Sequence, residues 1–585
     1  MIRLIAIFVL LFSGLIASYA RLYRIGKYGS IISGMLFFVG LSKVDYFLDY
    51  NWIKIYDIDF NVNLTFNKLN TFICFVVSFI LCVLYFARKI EENDKFICRK
   101  FFWLNVFVFF LCIAVCSSNL FQFFVAFEMI GLISTIIVGM ESGAAIQSSK
   151  VFAFSKTSSF LFLLGIIIIG IRSGSFDIRY IKETGISEYI LLIALMLKGA
   201  IFPFSSWLID ATKANIFASI LIHAGTIVGL QIIFIHNFGA NLKFSAFTYG
   251  IMAAFGLITA ILMGFRATMF NNIKKIIACL TASSSGVMFF ACGIGLSHIA
   301  LLYFLCHALY KALLFLSFAY LIAAMCGEKN ILRMGGLNRV TKNICNVIWV
   351  SFFLSVGLPL TPSFFAKVPL CGEIQVIGKG FLLTSVWLIN IITNFAIFRM
   401  IALSMYGNVR SDDMVVSRAS NSNNWNLAPL WVIVIASVAC SIYAWNIYGL
   451  DDVIASQGIV RFRNVTNYFY ESIHEIIQLA IGGIAFIFSF RFLKENRRRN
   501  YNFLSLPFRM FAFLWLKTKS LFIDVLRKIN DLNVNVSLFC NSIFIKKIYR
   551  SNMFLCRYDI SDVANQVTLF LFGVAFVSIF ILILG

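Results

Sequence analysis

The stretch LFLLGIIIIG, residues 161–170, decides which membrane architecture this chain adopts. A membrane-spanning β-strand alternates apolar and polar residues over about 10 positions, whereas this stretch does not alternate and suits a helix. Apolar runs of spanning length recur from residues 1–20 to residues 567–585. Since one span needs roughly 20 residues, the sequence predicts an all-α polytopic membrane protein with about 14 to 16 transmembrane helices.

The composition excludes a water-soluble fold. Of the 585 residues, 61% are hydrophobic and 13% are charged, against about 25% charged in an average soluble domain. The formal net charge of +23 would suggest a nucleic-acid partner in a soluble protein. Here Lys and Arg lie mainly in loops between the apolar runs and in the C-terminal segment, where they suit anionic headgroups. We expect anionic lipids such as cardiolipin as partners, and no nucleic acid.

The chain divides into five segments. Residues 1–100 carry N-terminal transmembrane helices, the first of which we interpret as retained rather than cleaved, and residues 101–406 form a dense core of spans. Residues 407–493 add further transmembrane helices. Residues 494–565 are too polar to span and too hydrophobic for a linker, which favours an amphipathic lateral helix along the membrane face. Residues 566–585 form a C-terminal transmembrane anchor.

Ionisable residues inside the spans are the candidate functional groups, because each costs several kcal/mol in hydrocarbon unless it is paired or hydrated. The six that stand out are Glu128, Lys198, His223, His307, Lys311 and Lys367. The set contains an acid, bases and relays, but no nucleophile, phosphate loop or redox ligand. The 14 cysteines are scattered without a CxxC pair, which indicates neither a disulfide framework nor an iron–sulfur site. The pattern favours proton movement over bond chemistry.

Two arrangements among these residues have alternative interpretations. If Glu128 and Lys198 meet inside the bundle, each holds the other charged and moving one changes the proton affinity of the other; alternatively they form a static ion pair. His307 and Lys311 lie four residues apart, on one helical face, where a bridging water could pass a proton. A metal site there would need more ligands. His223 is either a hydrogen-bonded core residue or a proton relay, since imidazole titrates near neutral pH.

Three prolines predict two broken helices, because proline removes a backbone donor. Pro203 lies in KGAIFPFSSWLID (198–210), and Pro359 and Pro362 lie in SVGLPLTPSFFAKVPL (355–370) just before Lys367. Breaks inside a membrane are tolerated where water or protein satisfies the freed backbone groups. Each break therefore places a lysine beside a candidate hydrated site.

The core, over about residues 100–405, resembles the proton-translocating, antiporter-like subunits of respiratory complex I and their relatives in multisubunit cation/proton antiporters. Five stretches carry the resemblance and the roles that it implies: FEMIGLIS (127–134) the key glutamate Glu128, KGAIFPFSSW (198–207) the pairing Lys198, SILIHAGT (219–226) the relay His223, HALYKALLF (307–315) His307 and the central Lys311, and GLPLTPSFFAK (357–367) the distal Lys367. The sequence departs from the family pattern at Ser159, where an acid is frequent, and at Tyr303, where a second histidine is common.

Within this family the sequence resembles subunit 5 more than its sisters, subunits 2 and 4. Position 223 holds His where the sisters carry Lys, position 367 holds Lys where subunit 4 has an acid, and the C-terminal segment resembles the lateral helix of subunit 5. A stand-alone cation/proton antiporter subunit shares the first two features and remains the alternative. A third possibility is a scaffold whose buried charges are static pairs.

The resemblance also implies a cellular context. The chain would translocate protons while NADH:ubiquinone oxidoreduction proceeds elsewhere in the complex. It would bind no cofactor itself, and FMN, iron–sulfur clusters, NADH and ubiquinone would belong to other subunits. The implied partners are other complex I subunits, especially the adjacent antiporter-like subunit 4 and neighbours along the lateral helix. The implied location is the mitochondrial inner membrane, with a bacterial inner membrane as the alternative.

Overall fold

A computed structural model describes residues 2–19, 22–55, 58–88, 96–181, 185–378, 380–422 and 425–450, together with Ala480. The lateral helix predicted at residues 494–565 and the anchor predicted at residues 566–585 lie outside this part of the chain. The described helices are α1 (Ile2–Tyr19), α2 (Tyr23–Gly40), α3 (Lys68–Phe86), α4 (Ile97–Cys116), α5 (Leu120–Gly139), α6 (Ala145–Ser173), α7 (Ser187–Lys198), α8 (Ser206–Asp210), α9 (Ile216–Leu221), α10 (Ile227–Leu242), α11 (Ala246–Met269), α12 (Ile273–Gly293), α13 (Ser297–Ala324), α14 (Leu337–Val340), α15 (Lys342–Val356), α16 (Pro362–Ile377), α17 (Gly380–Met405), α18 (Asp413–Asn421) and α19 (Ala428–Leu450).

Ten helical stretches within the described residues are long and apolar enough to cross a membrane. They are α1, α3, α4, α5, α6, the continuous stretch from α9 through α10, α11, α12, α13 and α17. Two shorter apolar helices, α15 and the part of α19 up to Ala444, accompany them. The prediction of an all-α polytopic membrane protein is therefore confirmed.

A β-hairpin between α2 and α3 is a feature that the sequence analysis did not include. Its strands, β1 (Tyr46–Ile55) and β2 (Ile58–Phe66), pair antiparallel. Apolar and polar residues alternate along β2, IDFNVNLTF, which is the period of a strand with two different faces. The amide of Ser118 donates to the carbonyl of Asn63 at 3.1 Å, and the Asn63 side chain donates to Asp177 Oδ2 at 2.6 Å. These bonds tie the hairpin to the start of α5 and to the connection after α6.

Arg179 reinforces the same end of the bundle. It lies in a short 3₁₀ turn, Ile178–Tyr180, and pairs with Asp177 at 2.5 Å and with Asp49 of β1 at 2.9 Å. Hydrogen bonds to Asp177, and next to Asp49, raise the pKa of the Arg179 guanidinium above its ordinary value. The hairpin and the connection between α6 and α7 are thus held by a cation that remains charged.

Helices α7 and α15 both stop at a break that contains proline. α7 ends at Lys198, and Pro203, which follows a cis peptide bond, lies in the irregular segment before α8. α15 ends at Val356; Pro359 lies in the break, and Pro362 is the first residue of α16. Proline is well tolerated at a first helical position because that N–H has no helical partner in any case.

A third irregularity lies between α9 and α10, and the sequence analysis did not predict it. Residues Ile222–Thr226 form a π-helical turn that contains His223. Such turns insert an extra residue into a helix and occur frequently at functional sites. The side chain of Asn215 caps the start of α9 by accepting from the amide of Ala218 at 2.7 Å.

The centre of the bundle is formed by α12 and α13. α13 is buried along nearly its whole length, as expected for a helix that is apolar on all sides.

α12 packs closely against α11 where Gly286 faces Gly256: a Cβ at Gly286 would lie 2.6 Å from the Gly256 carbonyl oxygen. Small residues at such crossings let helix backbones approach in membranes. The helix that carries His307 and Lys311 is therefore enclosed by protein.

Candidate functional site

The carboxylate of Glu128 pairs with Lys156 and not with Lys198. Glu128 lies near the middle of α5, and its Oε1 accepts a hydrogen bond from the Lys156 ammonium on α6, which packs beside α5. The contact between Glu128 and Lys198 that the sequence analysis considered is therefore not formed in this conformation. The physical reason is that Lys156 reaches Glu128 directly from the adjacent helix, whereas the lysine at the end of α7 bonds elsewhere.

Lys198, at the end of α7, bonds the residue before each member of that ion pair. Its ammonium donates to the carbonyl of Phe127 at 2.9 Å and to Ser155 Oγ at 3.1 Å, and it lies 4.2 Å from the centre of the Phe127 ring. The residue is 2% exposed. Because Phe127 precedes Glu128 and Ser155 precedes Lys156, the two lysines and the carboxylate form one cluster.

Gly131 makes room for this cluster. A Cβ built at Gly131 would clash with the Lys198 ammonium and with Ser155 Oγ. Absence of a side chain at this position is therefore what lets the ammonium approach the backbone of α5. Lys156 itself was missed as a site residue, although a lysine in the interior of the 29-residue α6 meets the same criterion as the six candidates.

Protein side chains satisfy the backbone groups that the break after Lys198 frees. Trp207 Nε1 donates to the carbonyl of Leu197 at 2.9 Å, and Ser285 Oγ donates to the carbonyl of Gly199 at 2.9 Å. The amide of Phe202 donates to Thr259 Oγ1 at 2.9 Å. The break at Pro203 is thus a fixed structure, in which polar side chains from other helices take the place of the missing helical partners.

Gln231 and Ser285 extend the polar cluster from Lys198 toward the centre of the bundle. The amide nitrogen of Gln231, on α10, donates to Ser285 Oγ at 2.8 Å, and Ser285 in turn bonds Gly199, the neighbour of Lys198. The preceding residue of α12, Ser284, interacts with the hydroxyl of Tyr310 beside Lys311. The sequence analysis did not predict this link, because it selected ionisable residues and these side chains are uncharged.

The two histidines of the site are fully buried and have uncommitted nitrogens. His223 stacks on Phe315 with ring centres 5.4 Å apart, and His307 meets Tyr310 edge to face at the same separation. Within the described residues, neither ring nitrogen of either histidine has a hydrogen-bond partner. Because buried polar groups nearly always have partners, including ordered water, both rings mark places where water or a moving proton can be accommodated.

Lys311 and Lys367 face one polar cavity. The cavity has a volume of about 20 Å³, which is enough for about one water molecule. Besides the two lysines it is lined by side chains that include Ser283, Ser284, Tyr303, Ser355, Asn390 and Asn394. Lys311 is 3% exposed and Lys367 is 5% exposed. Two ammonium groups so enclosed repel each other strongly when both are charged.

Lys367 is also a structural cap. Its ammonium donates to the carbonyl of Val356 at 2.7 Å, and Val356 is the last residue of α15. A cation at a helix C-terminus is stabilised by the helix dipole and by the unpaired carbonyl groups there. The break that contains Pro359 therefore positions Lys367 between a helix end and the cavity.

Together these side chains form a row of polar and ionisable groups across the middle of the bundle. The row consists of Glu128 and Lys156, then Lys198 with Ser155, then Gln231 and Ser285, then Ser284, Tyr310 and Lys311, and finally Lys367. Among the described residues, no group of three or more His, Cys, Asp or Glu side chains could hold a metal ion. The arrangement is suited to holding protons and transferring them between neighbours.

Comparison with known proteins shows what this chain is similar to. Residues 117–398 match the family model described as NADH:quinone oxidoreductase/Mrp antiporter, TM, inside the range where the resemblance was found. The fold is similar to a chain in the structure of the Mrp complex from Dietzia sp. DQ12-45-1b, with a TM-score of 0.64 and 16% identity, covering 78% of this chain and 98% of that one. The protein is a multi-pass membrane protein, and its residues 117–398 are similar to the NADH:quinone oxidoreductase/Mrp antiporter transmembrane family.

The chain is also similar to NADH-ubiquinone oxidoreductase chain 5. It is 27% identical to chain 5 of Chondrus crispus over 419 residues, which cover 66% of this chain and 63% of that protein. It is 27% identical to chain 5 of Metridium senile over 64% of this chain and 65% of that protein. It is 26% identical to NADH-quinone oxidoreductase subunit L of Escherichia coli (strain K12) over 66% of this chain and 65% of that protein. Each of these alignments spans slightly less than two thirds of the relative.

Proposed function

We propose that this chain is a proton-translocating membrane-arm subunit of respiratory complex I. NADH:ubiquinone oxidoreduction in other subunits, which hold FMN and the iron–sulfur clusters, would drive proton movement along the row of buried side chains. The observation that carries the proposal is the row of polar and ionisable side chains from Glu128 to Lys311 and on to Lys367, joined partly by hydrogen bonds and partly by neighbouring positions along a helix, in a chain similar to chain 5 of that enzyme. This chain's share of the enzyme's activity is translocation.

The first step of the mechanism is an exchange of partners at Glu128. In the conformation described, Glu128 pairs with Lys156 while the Lys198 ammonium bonds the carbonyl of Phe127. When a charge change at the α5 surface draws Lys156 away, the nearby Lys198 becomes the partner of Glu128. A lysine that swings toward a carboxylate carries its positive charge away from the centre of the bundle.

The second step is proton transfer at Lys311. Charges inside a bundle are screened less than charges in water, so displacement of Lys198 would alter the proton affinity of Lys311. The polar link through Gln231, Ser285 and Ser284 connects the two positions. Lys311 then gives its proton into the cavity that it shares with Lys367.

The α5–α6 surface supports assembly with another membrane subunit. The side chains of Glu128 and Lys156 are 23% and 34% exposed, near the middle of helices whose outer faces carry exposed apolar residues such as Phe160. A half-exposed ion pair in hydrocarbon is unfavourable, and a neighbouring protein that covers it removes this cost. We assign this face to contact with another complex I subunit, with antiporter-like subunit 4 as the candidate.

The proposed location is the mitochondrial inner membrane. Relatives named as chain 5 of NADH-ubiquinone oxidoreductase, such as that of Chondrus crispus, support it, while subunit L of Escherichia coli supports a bacterial inner membrane as the alternative. Anionic lipids such as cardiolipin would accompany the excess of basic residues. Neighbours along the lateral helix at residues 494–565 complete the proposed set of partners.

Replacement of Lys311 by Met tests the function directly. In sealed membrane vesicles that contain the assembled complex, Lys311→Met is expected to abolish NADH-driven proton uptake, because methionine fills the space but binds no proton. Lys342→Met, at the exposed start of α15, is the matched control and keeps normal uptake. Unchanged pumping in an assembled Lys311→Met complex would favour the scaffold interpretation.

A second measurement distinguishes the complex I function from the alternative, a subunit of a stand-alone cation/proton antiporter. The family description covers both kinds of protein, and the similar solved fold comes from an Mrp complex. Sodium-dependent proton exchange by a purified assembly that oxidises no NADH would favour the antiporter. Copurification with NADH:quinone reductase activity would favour complex I.

A further inference from the structure

The cavity between Lys311 and Lys367 has a wall that none of the preceding steps uses. α17 contributes Asn390, Thr393 and Asn394 to it, all within one turn of a helix that is otherwise strongly apolar. Asn394 is 1% exposed. An asparagine in the interior of a membrane helix is unfavourable unless it serves a hydrogen bond.

Asn394 lines this site and has an uncommitted donor. Its amide nitrogen is buried and has no hydrogen-bond partner among the residues that the structure describes. The hydroxyls of the cavity are engaged differently: Ser283 donates to Ala260 O at 2.7 Å, Ser355 donates to Phe352 O at 2.8 Å, and Thr393 donates to Ile389 O at 2.9 Å. These hydroxyl protons are bound to helix carbonyls, so the amide of Asn394 is a donor that remains available.

The space and the polar groups fit one water molecule. A buried water needs about 10–15 Å³ and two to four polar partners, and the cavity offers about 20 Å³. The partners are the two lysine nitrogens and the Asn394 amide, which can donate through Nδ2 and accept through Oδ1. Lys367 also bonds Val356 O, which holds its nitrogen beside the end of α15.

We propose that Asn394 is a positioning residue that holds a water molecule between Lys311 and Lys367, through which the proton passes from one lysine to the other. This inference rests on the proposed function. The water accepts a proton from the Lys311 ammonium as it gives one to the neutral amine of Lys367, so one N–H bond breaks, another forms, and the total charge is unchanged. The Asn394 amide orients the water and remains chemically unaltered.

The test compares Asn394→Leu with Asn394→Ser in the assembled complex, in sealed membrane vesicles. Leucine has nearly the same size and no hydrogen-bonding group, and it is expected to slow NADH-driven proton uptake by about tenfold or more, as expected for loss of a hydrogen bond to a charged centre. Serine restores a polar group and is expected to recover at least half of the rate. Leu388→Ile, which changes an exposed residue of α17 outside the cavity lining, is the control and leaves the rate unchanged.

A second readout separates water positioning from simple packing. In wild-type vesicles and in Asn394→Ser, the ratio of rates in H₂O and D₂O is expected to be the same, while Asn394→Leu raises it because proton transfer has become limiting. A slow leucine variant with an unchanged isotope ratio would overturn the proposal. If leucine prevents assembly, Asn394→Val makes the same comparison with a smaller apolar side chain.

Lys311→Met in the same assay separates this inference from the function on which it rests. Normal pumping by Lys311→Met would refute the proposed function. Loss of pumping in Lys311→Met together with a wild-type rate in Asn394→Leu would refute only the role of Asn394.

Discussion

Glu128 is paired with Lys156, and Lys198 bonds the carbonyl of Phe127, the residue that precedes Glu128. The carboxylate therefore engages one lysine, while a second lysine bonds the backbone of α5 one residue away in sequence. A side chain with two alternative partners of like charge is a two-state element, since a modest change in field exchanges one partner for the other. Substitutions in this element, and at the contacts that lead from it to Lys367, are therefore expected to change proton uptake.

Removal of Lys156 is expected to leave Glu128 with Lys198 as its only nearby lysine. In Lys156→Met, the cluster is fixed in one of its two states, so NADH-driven proton uptake falls by about tenfold or more. Because Lys198 replaces Lys156 as the partner of Glu128, the carboxylate is not left unpaired and the complex is expected to assemble. Lys150→Met is the control: it removes a lysine of the same helix that pairs with Asp210 at 3.5 Å. Equal pumping by both variants would contradict the two-state element.

Gly131→Ala tests the position of the Lys198 ammonium. The added methyl occupies the place where Lys198 approaches α5, so the ammonium is pushed off the Phe127 carbonyl at a cost of about 1–3 kcal/mol. Slower proton uptake is expected, with assembly measured by native gel. Gly34→Ala provides the comparison, because a Cβ at Gly34 of α2 meets nothing within 4 Å; a loss of uptake in that variant would show that the assay responds to any added methyl.

Ser285→Ala is expected to interrupt the link between Lys198 and Lys311. The substitution removes the donor to Gly199 O and the acceptor for Gln231 Nε2, and an unpaired buried polar group costs about 1–3 kcal/mol. Proton uptake should slow, and thermal denaturation of the purified complex should begin at a lower temperature. Ser317→Ala, which removes a hydroxyl bonded within α13, should change neither. Wild-type uptake in Ser285→Ala would exclude this serine from the path.

Lys367 has two roles that two substitutions separate. Lys367→Gln keeps a donor for Val356 O but carries no transferable charge, so assembly is retained and proton uptake is lost. Lys367→Leu removes both, leaving the end of α15 without its donor at a cost of about 1–3 kcal/mol, and yields less assembled complex as well. Immunoblots of native gels measure assembly, and a pH-sensitive dye in vesicles measures proton uptake. Pumping by Lys367→Gln would show that no proton rests on this residue.

Much of this site is readable from the sequence, because charge inside an apolar run is a local signal. Lys198, Lys311 and Lys367 stand out in this way, and all three are 5% exposed or less. The partner of Glu128 is different, since it depends on which helix packs beside α5 and at what height. Lys156 lies 28 residues from Glu128, and no periodicity within one helix predicts a contact between two.

Two other features lay beyond sequence reasoning for different physical reasons. The hairpin alternates visibly along β2, yet in so apolar a chain its strands contribute little to the overall pattern of spanning runs. Asn394 and Gln231 are uncharged, and the cost of burying an amide is smaller than that of a charge. Their importance becomes apparent only when the structure places them against the lysines.

The contact between Lys367 and the end of α15 has one more consequence. An ammonium attracts a helix C-terminus, whereas a neutral amine does so weakly. The joint between α15 and α16 is therefore tightest while Lys367 carries its proton and loosens when that proton departs. Loss of the proton from Lys367 would therefore weaken the contact between the two half-helices. Each proton that leaves the protein by this route would also change the shape of the break between α15 and α16.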